Sequence, residues 1–268
     1  MSIRNTNELI DALANTSTRR SFSCLTAAVI AGLIFCKNTL AGFPWGILPT
    51  PPIRTAGGEI PTGSTIGFPN IKNADVGKTK YMSNLSLFSS VISVFFFYDL
   101  LYWVSGFVGN STASQAITNS PLVNRGDPDG IGNEIYLIGF TEIGNTASNC
   151  IVTYINEKDE TKTTIPVNAQ RLRAGQMLLI PLSEGDLGVK RVVSLQLSAS
   201  TGTAGNFGIM ISRKLAQLNI NFTNSGESLD FAKLALPKLD NDVAIICGQL
   251  SATTASGNQT GDFVFIEG

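Results

Sequence analysis

The chain has 268 residues, 43% of them hydrophobic and 15% charged, with 26 glycines and a formal net charge of −1. That is enough for one sizeable core, and the near-neutral balance supplies no field to draw the chain to nucleic acid or to an anionic membrane. There is no histidine, which removes the commonest general base, the usual Ser-His and Cys-His pairs and the commonest zinc ligand.

In chain order, residues 5–15 predict a short helix. Asn5 is placed to cap it, Glu8 follows three residues later, and Leu9, Ile10 and Leu13 form an apolar stripe. Residues 22–36 are apolar and follow Arg19-Arg20, the outline of a signal peptide or membrane anchor. The run falls short of the about 20 apolar residues that a spanning helix needs. Residues 37–80 are dense in Pro and Gly, which excludes a long helix or a central strand. Phe43, Trp45, Ile47, Leu48, Ile53, Ile60, Ile66 and Phe68 punctuate this stretch. Two readings are open: an extended arm laid on another molecule, or a long loop packed on its own domain.

From residue 81 the pattern is that of strands. Leu85-Ser86-Leu87 alternates, Val91 to Tyr98 and Leu101 to Val104 are aromatic and β-branched, and Asp99 or Ser105-Gly106 could turn the chain. Residues 133–213 then hold six short apolar runs divided by turn formers, such as Gly144-Asn145 and Glu184-Gly185-Asp186. Regular short strands of this kind predict an antiparallel β-sandwich, jelly-roll-like, joined mostly by hairpins. Residues 218–222, 243–247 and 263–266 add strands. Ser228 to Leu236 predicts a capped turn or two of helix stopped by Pro237. The expected division is an N-terminal arm over 1–80 and a sandwich domain over 81–268.

Few residues nominate chemistry. Asp127-Pro128-Asp129-Gly130 resembles the start of a calcium loop, but Gly130 comes too early and Glu134 too close, so an Asx turn is expected. Thr201-Gly202-Thr203-Ala204-Gly205-Asn206-Phe207-Gly208 lacks the Gly-Lys-Ser/Thr end of a phosphate loop and reads as a hairpin. Cys24, Cys36, Cys150 and Cys247 have no zinc or redox spacing; core packing is expected for Cys150 and Cys247, and a Cys24 to Cys36 bridge is left open. Arg19-Arg20 and Lys72, Lys78 and Lys80 read as solvated charges. No catalytic residue, metal or cofactor is indicated.

Several stretches nonetheless resemble a group of tailed-bacteriophage virion structural proteins. They are Met1 to Leu9, Tyr98-Asp99 with Leu101, Gly175-Gln176-Met177, Ser198 to Gly208, and Phe231-Ala232 through Leu236-Pro237 to Asn241-Asp242. The resemblance implies a non-enzymatic virion protein assembled in the host cytoplasm. Joined to the arm reading, it suggests a capsid decoration or cement protein, dimeric or trimeric, that bridges major capsid subunits. Phe43, Trp45, Ile47, Ile53, Ile60 and Phe68 are the expected partner-binding residues. The alternatives are a tail, neck or fibre component that binds host carbohydrate through an exposed aromatic patch on the sandwich loops, and an exported surface protein anchored through residues 22–36.

Overall fold

The computed structural model describes residues 3–40, 44–123 and 125–268. The chain is mainly β, with strands β1 (Thr18–Cys24), β2 (Ile34–Cys36), β3 (Lys80–Ser89), β4 (Ser93–Phe107), β5 (Gln115–Ala116), β6 (Asn133–Thr141), β7 (Asn149–Asn156) and β8 (Thr161–Thr163). They continue with β9 (Val167–Asn168), β10 (Gln176–Ile180), β11 (Val189–Leu197), β12 (Asn206–Ile220), β13 (Ser225–Leu229), β14 (Lys238–Leu239), β15 (Ile245–Ser251) and β16 (Gln259–Glu267). Two helices accompany them, α1 (Thr6–Asn15) and α2 (Phe231–Leu234). Both are capped where the sequence predicts: Asn5 accepts from the Glu8 N–H, and Asp230 accepts from the N–H groups of Ala232 and Lys233.

The strands form three layers. A closed barrel runs β10-β2-β15-β4-β12-β6. One flanking sheet runs β1-β16-β3-β13, with β14 also on β3; the other runs β5-β11-β7-β8, with β9 also on β7. Pairing between the named strands is antiparallel throughout. The hairpins expected from short connections are few. β6, β10 and β12 belong to the barrel while β7 and β11 belong to the outer sheet, so the chain switches layer at almost every turn, as in a jelly roll. The glycine-rich loop is one of these switches. Thr201 is buried there; its hydroxyl accepts from the Gly144 N–H and donates to the Gly109 carbonyl, 3.0 Å each. A Cβ on Gly144 would fall 1.8 Å from the Thr201 carbonyl oxygen, so a larger residue cannot stand there.

Alternation decides the core. Tyr98, Leu100, Tyr136, Ile138, Met177, Met210 and Ile246 form one apolar cluster, on the inward positions of the barrel. Phe95, Phe97, Leu218 and Cys247 pack outward against Phe22, Leu85, Phe263 and Phe265 of the first sheet. Leu101, Val104, Leu137, Phe207 and Ile209 pack against Val152, Tyr154, Val192 and Leu195 of the second. β4 and β12 are thus common to both lobes. They pair along their length with register shifts, two of which flank the pairing of Arg213 with Asp99.

At that junction Asp99 is fully buried. Its Oδ1 accepts from Arg125 Nη2 at 3.1 Å and from the Ala244 N–H at 3.0 Å. Arg125 also donates to the carbonyls of Leu100 and Pro61, and Arg213 Nη2 reaches Asp240 at 3.2 Å. Burial pushes the Asp99 carboxyl above its usual range, against the pull of Arg125. The interaction ties β4, residue 125 and residue 61 into one joint.

Residues 1–80 are not set apart from this body, as the arm reading required. α1 packs Leu9 and Ala12 on Ile266 of β16, β1 pairs with β16, and β2 is a stave of the barrel. Nor do residues 22–36 form a helix: they contain the end of β1, a bridge from Ala28 to Ala255, and β2. Among the described residues no helix is long and apolar enough to cross a membrane.

Candidate functional site

The Pro-rich stretch has a structural task that its composition conceals. β15 pairs with β4 only from Ser93 to Asp99. Beyond that point the edge of β4 lies open, and open edges leave backbone groups without partners. Residues 51–59 cover it. The Ser105 N–H donates to the Pro52 carbonyl, its hydroxyl to the Pro51 carbonyl, and Trp103 and Glu59 exchange both backbone hydrogen bonds at 3.0 Å. Trp103 Nε1 adds a bond to Glu59 Oε1 at 2.8 Å. At the next level Asn38 donates to the Gly67 carbonyl, and Leu48 and Phe68 are buried, Phe68 edge-on to Trp103.

The six expected partner-binding residues are therefore divided. Phe68 is buried, Ile60 packs on the core shared with the second flanking sheet, and Trp45 packs against Phe22 and Phe263. These three are spent on the chain's own body. Ile47 and Ile53 remain exposed at 52% and 53%. Phe43 lies outside the described residues. The sequence reading passed over Ile66, which is 70% exposed. It stands beside Ile47, because Gly67 N–H donates to the Trp45 carbonyl and a Cβ on Gly46 would meet the Ile66 side chain at 3.0 Å. Gly67 turns at φ +96°, with Leu48 directly over it. Ile47 and Ile66 thus form an apolar ridge on a backbone fixed from below.

A second feature is a groove of about 970 Å³ on the outer face of the sheet β1-β16-β3-β13. Register puts Ser21, Asp262, Ser86 and Ser228 in one row across the four strands, and Ser23, Thr260, Phe88 and Gly226 in the next. Their neighbours Phe22, Leu85, Leu87 and Phe263 point the other way into the core. Asp262 accepts from the Ser21 hydroxyl at 2.5 Å and pairs with Arg19 at 3.2 Å. Phe88 is 40% exposed.

Other polar groups serve the fold. Tyr136 lies between the Tyr98 hydroxyl, 3.0 Å, and Glu134, 2.7 Å. Asp127 accepts from the Asp129 N–H at 2.9 Å, the expected Asx turn. Lys72 and Lys78 pair with Asp75 on the surface, but Lys80 is buried against Glu267 at 2.9 Å, unlike the solvated charge expected of it. All four cysteines are buried free thiols, so Cys24 and Cys36 are not bridged. Burial pushes Cys24 and Cys36 up to about 11 and Cys150 up to about 12, which leaves them protonated and unreactive near neutral pH. Among the described residues no group of three or more Cys, Asp or Glu side chains is placed to hold a metal.

No family model matches the chain, and no curated protein matches it. Among solved structures, it is similar to that of the infectious bursal disease virus Gx strain, with 10% identity over 94% of this chain and 81% of that chain and a TM-score of 0.23. It is likewise similar to the infectious bursal disease virus VP2 subviral particle, with 11% identity over the same shares and a TM-score of 0.20. At these TM-scores the likeness carries no argument about this chain.

Proposed function

We propose that the chain is a non-enzymatic virion structural protein of the capsid decoration or cement type, which holds neighbouring major capsid subunits together on a tailed-phage head. The sequence resemblance supports the setting. The observation that carries the mechanism is the ridge of Ile47 and Ile66, with Ile53 further along the same segment. Exposed apolar side chains on an immobile backbone lose little conformational freedom when covered, so their burial goes into binding. The clamp is then a preformed ridge on a rigid body, not a loose arm, and the dimeric or trimeric state belongs to the same proposal.

Point substitutions test it, because removing the N-terminal segment would take β2 out of the barrel. A chain carrying Ile47→Asp and Ile66→Asp is added back to particles lacking the protein, and copies per particle are counted by gel densitometry. Occupancy at sub-saturating concentration is expected to fall by about tenfold or more. Occupancy equal to that of the unchanged chain overturns the ridge.

A further inference from the structure

We propose that the outer face of the sheet β1-β16-β3-β13 binds a neutral oligosaccharide chain. Four observations converge on that class of ligand. The first is chemistry: the two rows present the hydroxyls of Ser21, Ser23, Ser86, Ser228 and Thr260, groups that both donate and accept, as sugar hydroxyls require of a partner. The second is the ring. Phe88 is flanked in its row by Thr260 and Gly226, and neither is large enough to cover it. An exposed ring held between small neighbours is a stacking platform for the C–H face of a hexose.

The third is charge. Asp262 is neutralised by Arg19 at 3.2 Å, and Glu227 at the rim by Lys233 at 3.4 Å, so the face offers no net field to an ion. The Ser21 hydroxyl and Arg19 also hold the Asp262 carboxylate in place, and a carboxylate has lone pairs left for further donors. The fourth is geometry. The rows cross successive strands in steps of about 4.8 Å, close to the length one hexose adds to a chain, and the groove of about 970 Å³ has room for several rings. A peptide is a poorer fit. On the two inner strands β16 and β3 the backbone groups are engaged by neighbours on both sides, so the face offers a strand no hydrogen-bonding edge, and it has no apolar pocket for side chains.

The test is an array of neutral and acidic oligosaccharides and of peptides, followed by calorimetry with dextran, laminarin and mannan oligosaccharides as soluble probes. Free polysaccharides and protein-linked glycans on the same array separate the two sources of such sugars. The intact chain is expected to retain at least one neutral oligosaccharide. Phe88→Ala is expected to weaken it about tenfold with an unchanged melting temperature, and Phe88→Tyr, which keeps the ring, to retain it. Four results overturn the proposal: no oligosaccharide retained by the intact chain, equal binding by Phe88→Ala, binding confined to acidic sugars and lost with salt, or capture of peptides instead. None of them touches Ile47 or Ile66, so this site and the ridge stand or fall separately.

Discussion

Lys37 shows what a single residue can cost a protein of this kind. It follows β2 directly, is 2% exposed, and its Nζ donates to the Ser256 hydroxyl at 2.8 Å. Burial pulls its ammonium below the usual lysine range. The unfolded chain therefore binds a proton more tightly than the folded one, so this group makes the fold more stable as pH rises. Its penalty is complete at low pH, shrinks as pH climbs past the depressed value, and is gone above the ordinary lysine value of 10.5. Lys37→Met should raise stability at neutral pH by about 1–2 kcal/mol and flatten the rise towards pH 10, read from urea melts across pH. A variant less stable than the parent at pH 7 would show that the hydrogen bond to Ser256 outweighs desolvation.

Among the elements, the stretch over residues 44–68 combines two tasks that mutation can separate. Phe68→Ala should cost about 3–5 kcal/mol, because it empties a buried ring site beside Trp103. Ile66→Ser should change the stability of the isolated chain by no more than about 0.5 kcal/mol, since that side chain is exposed. Chemical denaturation of both variants checks the pair, and a large loss for Ile66→Ser would mean that the ridge is core.

The same stretch shows where sequence reading ran out. Helix caps are local, so Asn5 and Asp230 were legible, and so was the alternation of residues 133–213. Whether Phe68 or Ile66 turns inward is settled by the edge of β4, more than thirty positions away, and nothing local marks it. β1 was hidden for another reason: Ser21-Phe22-Ser23-Cys24 alternates with period two, but the apolar run that follows it masked the strand. The row of Ser21, Ser86, Ser228 and Asp262 exists only through register among four strands that lie far apart in sequence.

At the scale of the whole molecule, β4 and β12 decide how the chain comes apart. Each has 15 residues and contributes side chains to the cores on both sides of the barrel. Neither lobe can lose its strands without exposing the core of the other. Calorimetry should therefore show one cooperative transition, with equal calorimetric and van't Hoff enthalpies. Two resolved transitions would mean that the lobes fold independently.

Continuity of those two strands has a mechanical meaning as well. When a shell swells, a load on one face of such a protein usually crosses to the other through side-chain packing, which yields by slipping. Here it passes along two uninterrupted covalent backbones, and the Asp99 joint resists shear between them at the midpoint. The molecule is built as a tie rod, whose two ends cannot drift apart until the strands themselves unravel.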